Sequence, residues 1–382
     1  MQNKRLRLVY VTPSLHVAGG VERVLTLKAN YLADEAGYDV SVVLTDGAGL
    51  PPFYPLSPRV RVIQLDIGFE QLWKLSFWQK IPVYLRKQRA FRRQLTSCLC
   101  ELKPDVTVSL LRREINFLCD IADGSKKVGE LHVNRANYRN FEANDSNAVK
   151  RLFARYWMRS LVKQLRRLDR FVVLTHEDAQ SWPELSNVEV IADPLPFVPE
   201  EQSTLTEKRV IAVGRYAYQK GFDMLLRAWS LVQHRCEDWT LDIFGAGDRQ
   251  PYRELVAQLN IDQARCHLNG PTSDIRHEYL NSGLLAFSSR FEGFGMVLPE
   301  AMSCGLPVVA FACPCGPKDI VSDGSDGLLV EPGNVEALAA AMLRLMTDPR
   351  LRHDMGHRAS LKARKYDLAV IGPRWQKLFE AL

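Results

Sequence analysis

Short apolar runs alternate along the chain with segments whose apolar residues recur every three or four positions. In the first half, the apolar runs predict strands at 6–12, 39–45, 60–66, 105–111, 126–132, 171–175 and 188–192. Helical periodicity falls between them, at 21–36, 82–103, 115–122 and 147–168. Continuous apolar strands separated by helices are typical of a parallel sheet that is covered on both faces.

The alternation breaks once, between Pro194 and Lys208, in a segment with three prolines that is typical of a linker. It then restarts, with strands at 209–214, 239–244, 266–269, 284–288, 307–312 and 327–330. Helices are predicted at 220–234, 250–259, 275–281, 297–302, 335–346, 351–365 and, apart from Gly372-Pro373, 368–382. We therefore expect two doubly wound α/β domains, with a ligand in the crevice outside their strands' carboxyl ends.

The expected boundaries are residues 1–194 for the first domain, 195–208 for the linker and 209–366 for the second domain. Residues 367–382 form a C-terminal helix that we expect to cross back towards the first domain.

Composition places the chain among globular proteins, with 46% hydrophobic and 25% charged residues. No apolar run approaches the roughly 20 residues of a membrane-spanning helix, and the N-terminus has no signal-peptide core. The eight cysteines lack the paired spacing of a zinc site. We expect a cytoplasmic protein with reduced structural thiols.

The net charge of +6 belongs to the first half of the chain. Residues 1–196 hold 29 Lys and Arg against 21 Asp and Glu, or +8, and the remainder holds 21 against 23, or −2. Two segments, 70–93 and 150–170, combine cations with aromatic residues, including Trp73, Trp78 and Phe153. They fit either an anionic membrane surface or ordinary helices with solvated cations. No nucleic-acid motif accompanies the charge, so no nucleic-acid partner is expected.

The stretch from Ser288 to Met302, S-S-R-F-E-G-F-G-M-V-L-P-E-A-M, carries the clearest candidate chemistry. It follows an apolar strand, turns through Gly293 and Gly295, and enters a helix, with seven residues between Glu292 and Glu300. Ligands of open α/β sheets bind at this edge, and glycines at a helix start expose backbone N–H groups to an anion.

Other candidates follow other strands. Arg215 ends one, and Lys220 begins the next helix, so two cations could hold a diphosphate without a metal ion. His132, which could bind a hydroxyl or move a proton, ends a strand beside Glu130. Asp193 precedes Pro194, where a hinge or an Asx turn are the alternatives. Glycine pairs that allow close backbone approach follow two more strands: Gly19-Gly20 and Gly245-x-Gly247.

Together these motifs resemble the retaining, nucleotide-sugar-dependent glycosyltransferases of the GT-B fold, family four. The resemblance runs from Leu6 to about Met346 and rests on five motifs in order: G-G-V-E-R, V-G-R…K-G, F-G-A-G, E-G-F-G-M-V-L-P-E-A-M and D-G-x-x-G-L-L-V. It departs at Asp193, where many relatives have Asn.

The resemblance implies roles for these residues. Arg215 and Lys220 would bind the donor diphosphate, Glu292 the sugar hydroxyls and Glu300 the ribose, while His132 would line the reacting centre. The remaining donor-binding residues would be Gly19, Gly20, Gly245, Gly247, Gly293, Phe294, Gly295, Met296 and Val297.

The implied reaction is retaining transfer of a hexose-type sugar from a UDP- or GDP-sugar to a glycan or lipid-linked acceptor, in capsule, lipopolysaccharide or exopolysaccharide synthesis. No cofactor is expected, and no metal, because the sequence has no D-x-D pair. Peripheral contact with the inner membrane face would follow from the basic first domain. Two alternatives remain: another GT-B chemistry (an epimerase or a phosphorylase) or a non-catalytic nucleotide-sugar binder.

Overall fold

The computed structural model describes residues 5–140 and 148–382 of the chain, with the side chains of a few helical residues outside the description. The chain forms two compact units, Met1–Pro194 with Ile371–Leu382, and Leu195–Val370. Among the residues expected at the basic surface, the side chains of Lys74, Phe77 and Phe153 lie outside the described part, as does residue 147, the expected start of a helix.

The first unit is built on a seven-stranded parallel sheet. Its strands are β1 (Arg7–Thr12), β2 (Asp39–Leu44), β3 (Arg61–Gln64), β4 (Val106–Ser109), β5 (Lys126–Glu130), β6 (Arg170–Val173) and β7 (Val188–Val190). They lie in the order β3-β2-β1-β4-β5-β6-β7, so the winding reverses between β1 and β4. The α-helices of this part of the chain are α1 (Gly20–Asp34), α2 (Phe77–Leu102), α3 (Ala148–Leu165) and α4 (His176–Gln180).

Strand β1 shows why the sheet needs two layers of helices. Leu8 and Tyr10 point into one apolar cluster and Val9 and Val11 into another, because successive side chains of a strand point to opposite faces. All four side chains are buried. The continuous apolar pattern of this strand therefore reports burial on both faces.

The second unit has a six-stranded parallel sheet in the order β10-β9-β8-β11-β12-β13. Its strands are β8 (Arg209–Val213), β9 (Thr240–Phe244), β10 (Cys266–Asn269), β11 (Leu284–Phe287), β12 (Val308–Phe311) and β13 (Gly327–Val330). The helices that follow are α5 (Phe222–Val232), α6 (Gln250–Gln258), α7 (Ile275–Leu280), α8 (Val297–Ser303), α9 (Pro317–Ile320), α10 (Val335–Thr347), α11 (Pro349–Ala363) and α12 (Leu368–Glu380). The winding reverses between β8 and β11, as in a doubly wound sheet.

The last helix contributes to the core of the first unit. Trp375 and Phe379 are buried there, and Gln376 accepts a hydrogen bond of 2.9 Å from the hydroxyl of Tyr31. The segment 195–208 has no helix or strand and packs on the second unit, where Ser203 Oγ donates to the carbonyl of Ser282 at 2.7 Å.

Three sequence predictions of helix structure were wrong. The segment 115–122 is not an α-helix but two short 3-10 helices, Glu114–Asn116 and Leu118–Asp120, separated at Phe117, which has a non-helical φ of −143°. Helix α2 begins five residues before the predicted Pro82, because Ser76 and Gln79 form a capping box.

The third wrong prediction is the interruption of the last helix at Gly372-Pro373. Pro373 lies inside α12, near its start. Gly372 is needed there because a Cβ at that position would collide with the ring of Tyr31.

None of the described helices is long and apolar enough to cross a bilayer. All eight cysteines are free thiols, and five of them are buried.

Candidate functional site

Lys220 and Glu292 form an ion pair at the point where the winding of the second sheet reverses. Lys220 follows β8 and directly precedes α5, and Glu292 follows the neighbouring strand β11. Lys220 Nζ lies 2.7 Å from Glu292 Oε1, and Gln219 Nε2 donates to the other carboxylate oxygen at 3.2 Å. The two side chains are only 15% and 7% exposed. The structure thus brings together two residues that stand 72 positions apart in the sequence.

The two loops that carry this pair are bonded to each other. Ser288 Oγ donates to the carbonyl of Lys220 at 2.9 Å, and Gly221, with a positive φ of 62°, lies where any Cβ would collide with the carbonyl of Ser288. Arg290 holds Asp223 through two hydrogen bonds of 2.8 and 2.7 Å. Burial raises the pKa of Asp223, but Arg290 outweighs burial and the net pKa is lowered. This geometry fixes the relative positions of Lys220 and Glu292.

Arg215, the second predicted phosphate ligand, lies in the loop that joins β8 to Lys220. Its side chain is exposed, and no hydrogen bond or ion pair of that side chain occurs among the described residues. It is therefore open to a ligand at the same sheet edge.

The glycines after β9 lie against the loop that follows β8. A Cβ on Gly245 would collide with the carbonyl of Gly214, and Gly247 has a φ of 123°. Tyr216 N donates to the carbonyl of Ala246 between them at 2.8 Å. These glycines let two backbone loops meet beside Arg215.

The turn from β11 into α8 holds the remaining predicted donor-binding residues. Gly293 lies in the turn, Gly295 has a positive φ of 88°, Met296 caps the seven-residue helix, and Val297 is its first residue. Phe294 is buried and packs edge-on against Tyr366 with 5.5 Å between ring centroids. Its ring therefore supports the turn from behind.

Glu300 is 2% exposed. The hydroxyl of Tyr279, a fully buried side chain, donates to Glu300 Oε2 at 3.2 Å. The carboxylate is thus held in one orientation within α8.

In the first unit, His132 belongs to a buried array of charged side chains. His132 Nε2 lies 3.1 Å from Glu130 Oε1, a contact not aligned as a hydrogen bond, and Nδ1 lies 3.6 Å from Asp193 Oδ1. Lys28, on α1, bonds to the same Glu130 oxygen, and its ammonium lies 4.2 Å from the centroid of the Trp375 ring. Lys28 and Glu130 are 2% and 0% exposed.

The array shifts the pKa values of its members. Burial lowers the pKa of His132, but the attraction of Glu130 and Asp193 outweighs burial and raises it to about 9. Burial raises the pKa of Glu130, but Lys28 and His132 outweigh it and lower the value to about 2. Both groups are therefore charged at neutral pH.

Gly19 and Gly20 lie at the start of α1, after the carboxyl end of β1. Gly19 is the N-cap residue, and the carboxylate of Glu22 lies where a Cβ on Gly19 would stand. The space around Gly20 is open. The glycines and His132 all follow strands of the first sheet, at the carboxyl edge.

One group among the described residues has the spacing of a metal site. One ligand atom each from Glu130, His132 and Asp193 lie within 4.8 Å of one another. However, Glu130 already binds the ammonium of Lys28, which supplies a positive charge there. The charges favour a salt-bridged array over a metal centre.

A surface cavity of about 840 Å³ lies at the opposite, amino-terminal edge of the first sheet. Two of its cations are paired, Arg7 with Asp105 and Lys126 with Asp169. We assign it no role.

Known proteins resemble this chain along its whole length. The amylovoran biosynthesis glycosyltransferase AmsD of Erwinia amylovora is 32% identical over 383 residues, covering 97% of this chain and 99% of AmsD. Residues 197–362 match the family described as glycosyl transferases group 1. The chain belongs to the group 1 glycosyltransferases.

Two further similarities support this glycosyltransferase assignment. A Campylobacter jejuni α-1,4-N-acetyl-D-galactosaminyltransferase, named for an acceptor linked to diphosphoundecaprenol, is 25% identical over 383 residues and 98% of each chain. The crystal structure of S. aureus TarM, in complex with fondaparinux, α-GlcNAc-glycerol and UDP, matches with a TM-score of 0.77 at 16% identity, over 98% of this chain and 99% of TarM. The fold of this glycosyltransferase is therefore GT-B.

Sequence reasoning about this glycosyltransferase missed several residues that hold the site. Gln219, Asp223 and Arg290 stand inside the quoted motifs, but their mutual contacts join loops distant in sequence. Lys28 left a detectable signal, since it falls on the apolar stripe of α1 with Val24, Leu25, Ala29 and Leu32. A lysine on a buried face requires a buried partner.

Proposed function

We propose that this glycosyltransferase moves a hexose-type sugar from a nucleoside diphosphate sugar, a UDP- or GDP-sugar, to a glycan or lipid-linked acceptor with retention of anomeric configuration. The observation that carries the donor assignment is the Lys220–Glu292 pair, at the winding reversal of the second sheet, with exposed Arg215 in the same loop. Retention rests on the resemblance to family four.

The residue types fit the charges of the reaction. Breaking the bond between the sugar and the diphosphate places negative charge on the leaving group and positive character on the sugar. Arg215 and Lys220 would neutralise the leaving diphosphate, and fixed cations need no reorganisation when the charge develops. This role would replace a divalent metal, so we propose that transfer is metal-independent.

Glu292 would bind hydroxyl groups of the donor sugar. Lys220 and Gln219 each hold one of its oxygens, so the carboxylate is oriented before the donor arrives. A carboxylate oxygen can accept more than one hydrogen bond, which leaves capacity for a sugar hydroxyl. Glu300, held by Tyr279, would bind the ribose in the same way.

The acceptor is proposed to be a growing surface glycan, of the capsule, lipopolysaccharide or exopolysaccharide type. The name of AmsD refers to amylovoran biosynthesis, and the Campylobacter jejuni enzyme is named for a glycan linked to undecaprenol. These relatives support a polysaccharide acceptor built on a lipid carrier.

A lipid-linked acceptor requires the enzyme to reach a membrane, and the start of α2 offers a surface for it. Trp78, Ile81 and Leu85 recur at helical spacing and are 80%, 46% and 49% exposed. Trp73, in the 3-10 helix before α2, is 79% exposed. Further along α2, the exposed cations are Arg86, Arg89, Arg92 and Arg93.

Exposed tryptophans beside cations match the interface of an anionic bilayer. We commit the start of α2 to a bilayer that contains anionic lipid. This binding would be peripheral.

A panel of nucleotide sugars, each incubated with the enzyme and lipid-linked glycan acceptors, tests the reaction. We expect one donor to give free nucleoside diphosphate and a new glycoside, with the donor's anomeric configuration in the product by NMR. Sugar 1-phosphate would indicate a phosphorylase, and an altered nucleotide sugar an epimerase. Thermal stabilisation by a donor without any product would indicate a binding protein.

Vesicle co-sedimentation tests the membrane surface. We expect binding to vesicles that contain phosphatidylglycerol, release at high salt, and on the order of tenfold weaker partitioning for a Trp73→Ser/Trp78→Ser double variant. Leu231→Ser and Leu361→Ser are matched controls, because these exposed apolar residues belong to the second unit. Equal binding by the double variant and the controls would contradict this surface.

A further inference from the structure

Asp193 and His132 are parts of a charge balance that the donor site does not explain. The array draws on four elements of the first unit: Lys28 on α1, Glu130 at the end of β5, His132 just after it, and Asp193 after β7. None of the four side chains is more than 8% exposed.

The charges of this array balance in only one way. Glu130 and Asp193 carry two negative charges, and Lys28 carries one positive charge. With a neutral imidazole the array would bury a net negative charge, which is costly in a low-dielectric interior. With His132 as an imidazolium, the array is neutral.

The positions of the ring nitrogens point the same way. Nε2 lies 3.1 Å from Glu130 Oε1 and Nδ1 lies 3.6 Å from Asp193 Oδ1. A neutral imidazole has one nitrogen that can only accept, and an ionised carboxylate can only accept as well. A neutral ring would therefore set a lone pair against one of the two carboxylates.

We propose that Asp193 is a positioning residue that, together with Glu130, keeps His132 doubly protonated, so that His132 serves as a fixed cation and not as a proton acceptor. The raised pKa of His132, about 9, agrees with this geometry. The charged and titratable groups around the ring are Glu130 and Asp193 directly, and Lys28 and Tyr10 through Glu130.

The charge state stands on the array alone, whereas its effect on sugar transfer rests on the proposed function. In that reaction, His132 would contribute positive charge throughout the cycle. It would not remove the proton from the acceptor hydroxyl.

NMR titration of the full chain, labelled with ¹⁵N-histidine, tests the charge state without any substrate. The chain has eight histidines, and the resonances lost in His132→Gln assign the ring. We expect His132 in the wild-type protein to titrate with a pKa of about 9. Asp193→Asn should lower that value by roughly one to three pH units, and Asp193→Glu should restore most of it.

The control is Asp120→Asn, which removes a carboxylate that pairs with Arg92 and Arg167 instead. It should leave the titration of His132 unchanged. A wild-type His132 that titrates at or below its ordinary pKa, near 6.5, would overturn the proposal. So would an Asp193→Asn variant that folds, by circular dichroism, and titrates like the wild type. If that variant does not fold, the wild-type titration still decides.

A second readout separates positioning from simple support. With an active donor, the alkaline limb of kcat/KM should move to lower pH in Asp193→Asn, whereas a purely structural defect would lower kcat without moving that limb. An unmoved limb would contradict the proposal. Absence of transfer with every donor would refute the proposed function and leave the NMR result intact.

Discussion

The two units place charged side chains at the same edge of a parallel sheet but balance them differently. In the second unit, Arg215 and Lys220 stand against Glu292, so these three groups have a surplus positive charge, and Arg215 is exposed. In the first unit, the four-residue array around His132 is buried and neutral once His132 is protonated.

The difference separates two uses of charge. A surplus next to solvent attracts a ligand of opposite sign, which here would be the diphosphate of a donor. A closed, balanced array fixes the charge and orientation of its own members. Four experiments can break or sharpen this comparison.

The largest effect is expected from Lys28→Met in the buried array. Removing one partner of a buried ion pair leaves the other charge uncompensated, at a cost of about 3–5 kcal/mol in unfolding free energy. Chemical denaturation measures it. The control, Lys126→Met, breaks an exposed pair with Asp169 and should cost no more than about 1 kcal/mol. Equal losses for the two variants would mean that the array is not closed.

Lys220→Ala should impair sugar transfer more than stability. Loss of one preorganised charge at the leaving group is expected to cost about 3 kcal/mol in the barrier, or on the order of a hundredfold in kcat. Steady-state kinetics with the donor found in the panel measures the effect. The control is Lys208→Ala, an exposed lysine of the same unit that pairs with Asp238. A normal rate for Lys220→Ala would remove the surplus charge from the mechanism.

The closed array should also make stability depend on pH. The folded-state pKa of His132, about 9, lies above its ordinary value, so its contribution is full below about pH 6.5 and is lost as the pH rises through 9. In that window the unfolding free energy should fall by up to about 1.4 kcal/mol per pH unit.

On the acid side, the pKa of Glu130 is lowered to about 2, so its contribution is present above about pH 4.5 and is lost as the pH falls towards 2. Thermal unfolding from pH 5 to pH 10 measures the alkaline loss. Asp193→Asn should flatten it, and an unchanged slope in that variant would count against the array.

The smallest expected effect is the coupling between Lys220 and Glu292. Because the two side chains touch, the loss in kcat/KM for Lys220→Ala/Glu292→Gln should be less than the sum of the single losses, by about 1 kcal/mol or more. A double-mutant cycle measures the difference. Strict additivity would mean that the 2.7 Å contact does not shape the transition state.

The comparison also explains how far the sequence could be interpreted. The alternation of apolar strands and helices predicted both α/β units, because burial on both faces leaves a continuous apolar pattern. The segment 115–122 misled because Glu114 bonds to the hydroxyl of Ser109 and the N–H of Arg112. Such local bonds compete with a helix and leave little trace in periodicity.

The sites differ in the same respect. Lys220 and Glu292 lie in glycine-rich motifs that mark strand ends, so each could be predicted, although their contact could not. The partners of His132 come from positions 28, 130 and 193, and only the lysine on an apolar helix face signals a buried charge. Pairing of that kind depends on tertiary structure.

The central claim is that fixed cations replace a metal ion at the leaving diphosphate. Initial rates of transfer by the wild-type enzyme, with its donor and acceptor, should be compared in excess EDTA and in millimolar Mg²⁺. We predict equal rates under the two conditions. Loss of transfer in EDTA, with recovery on adding Mg²⁺, would contradict the claim.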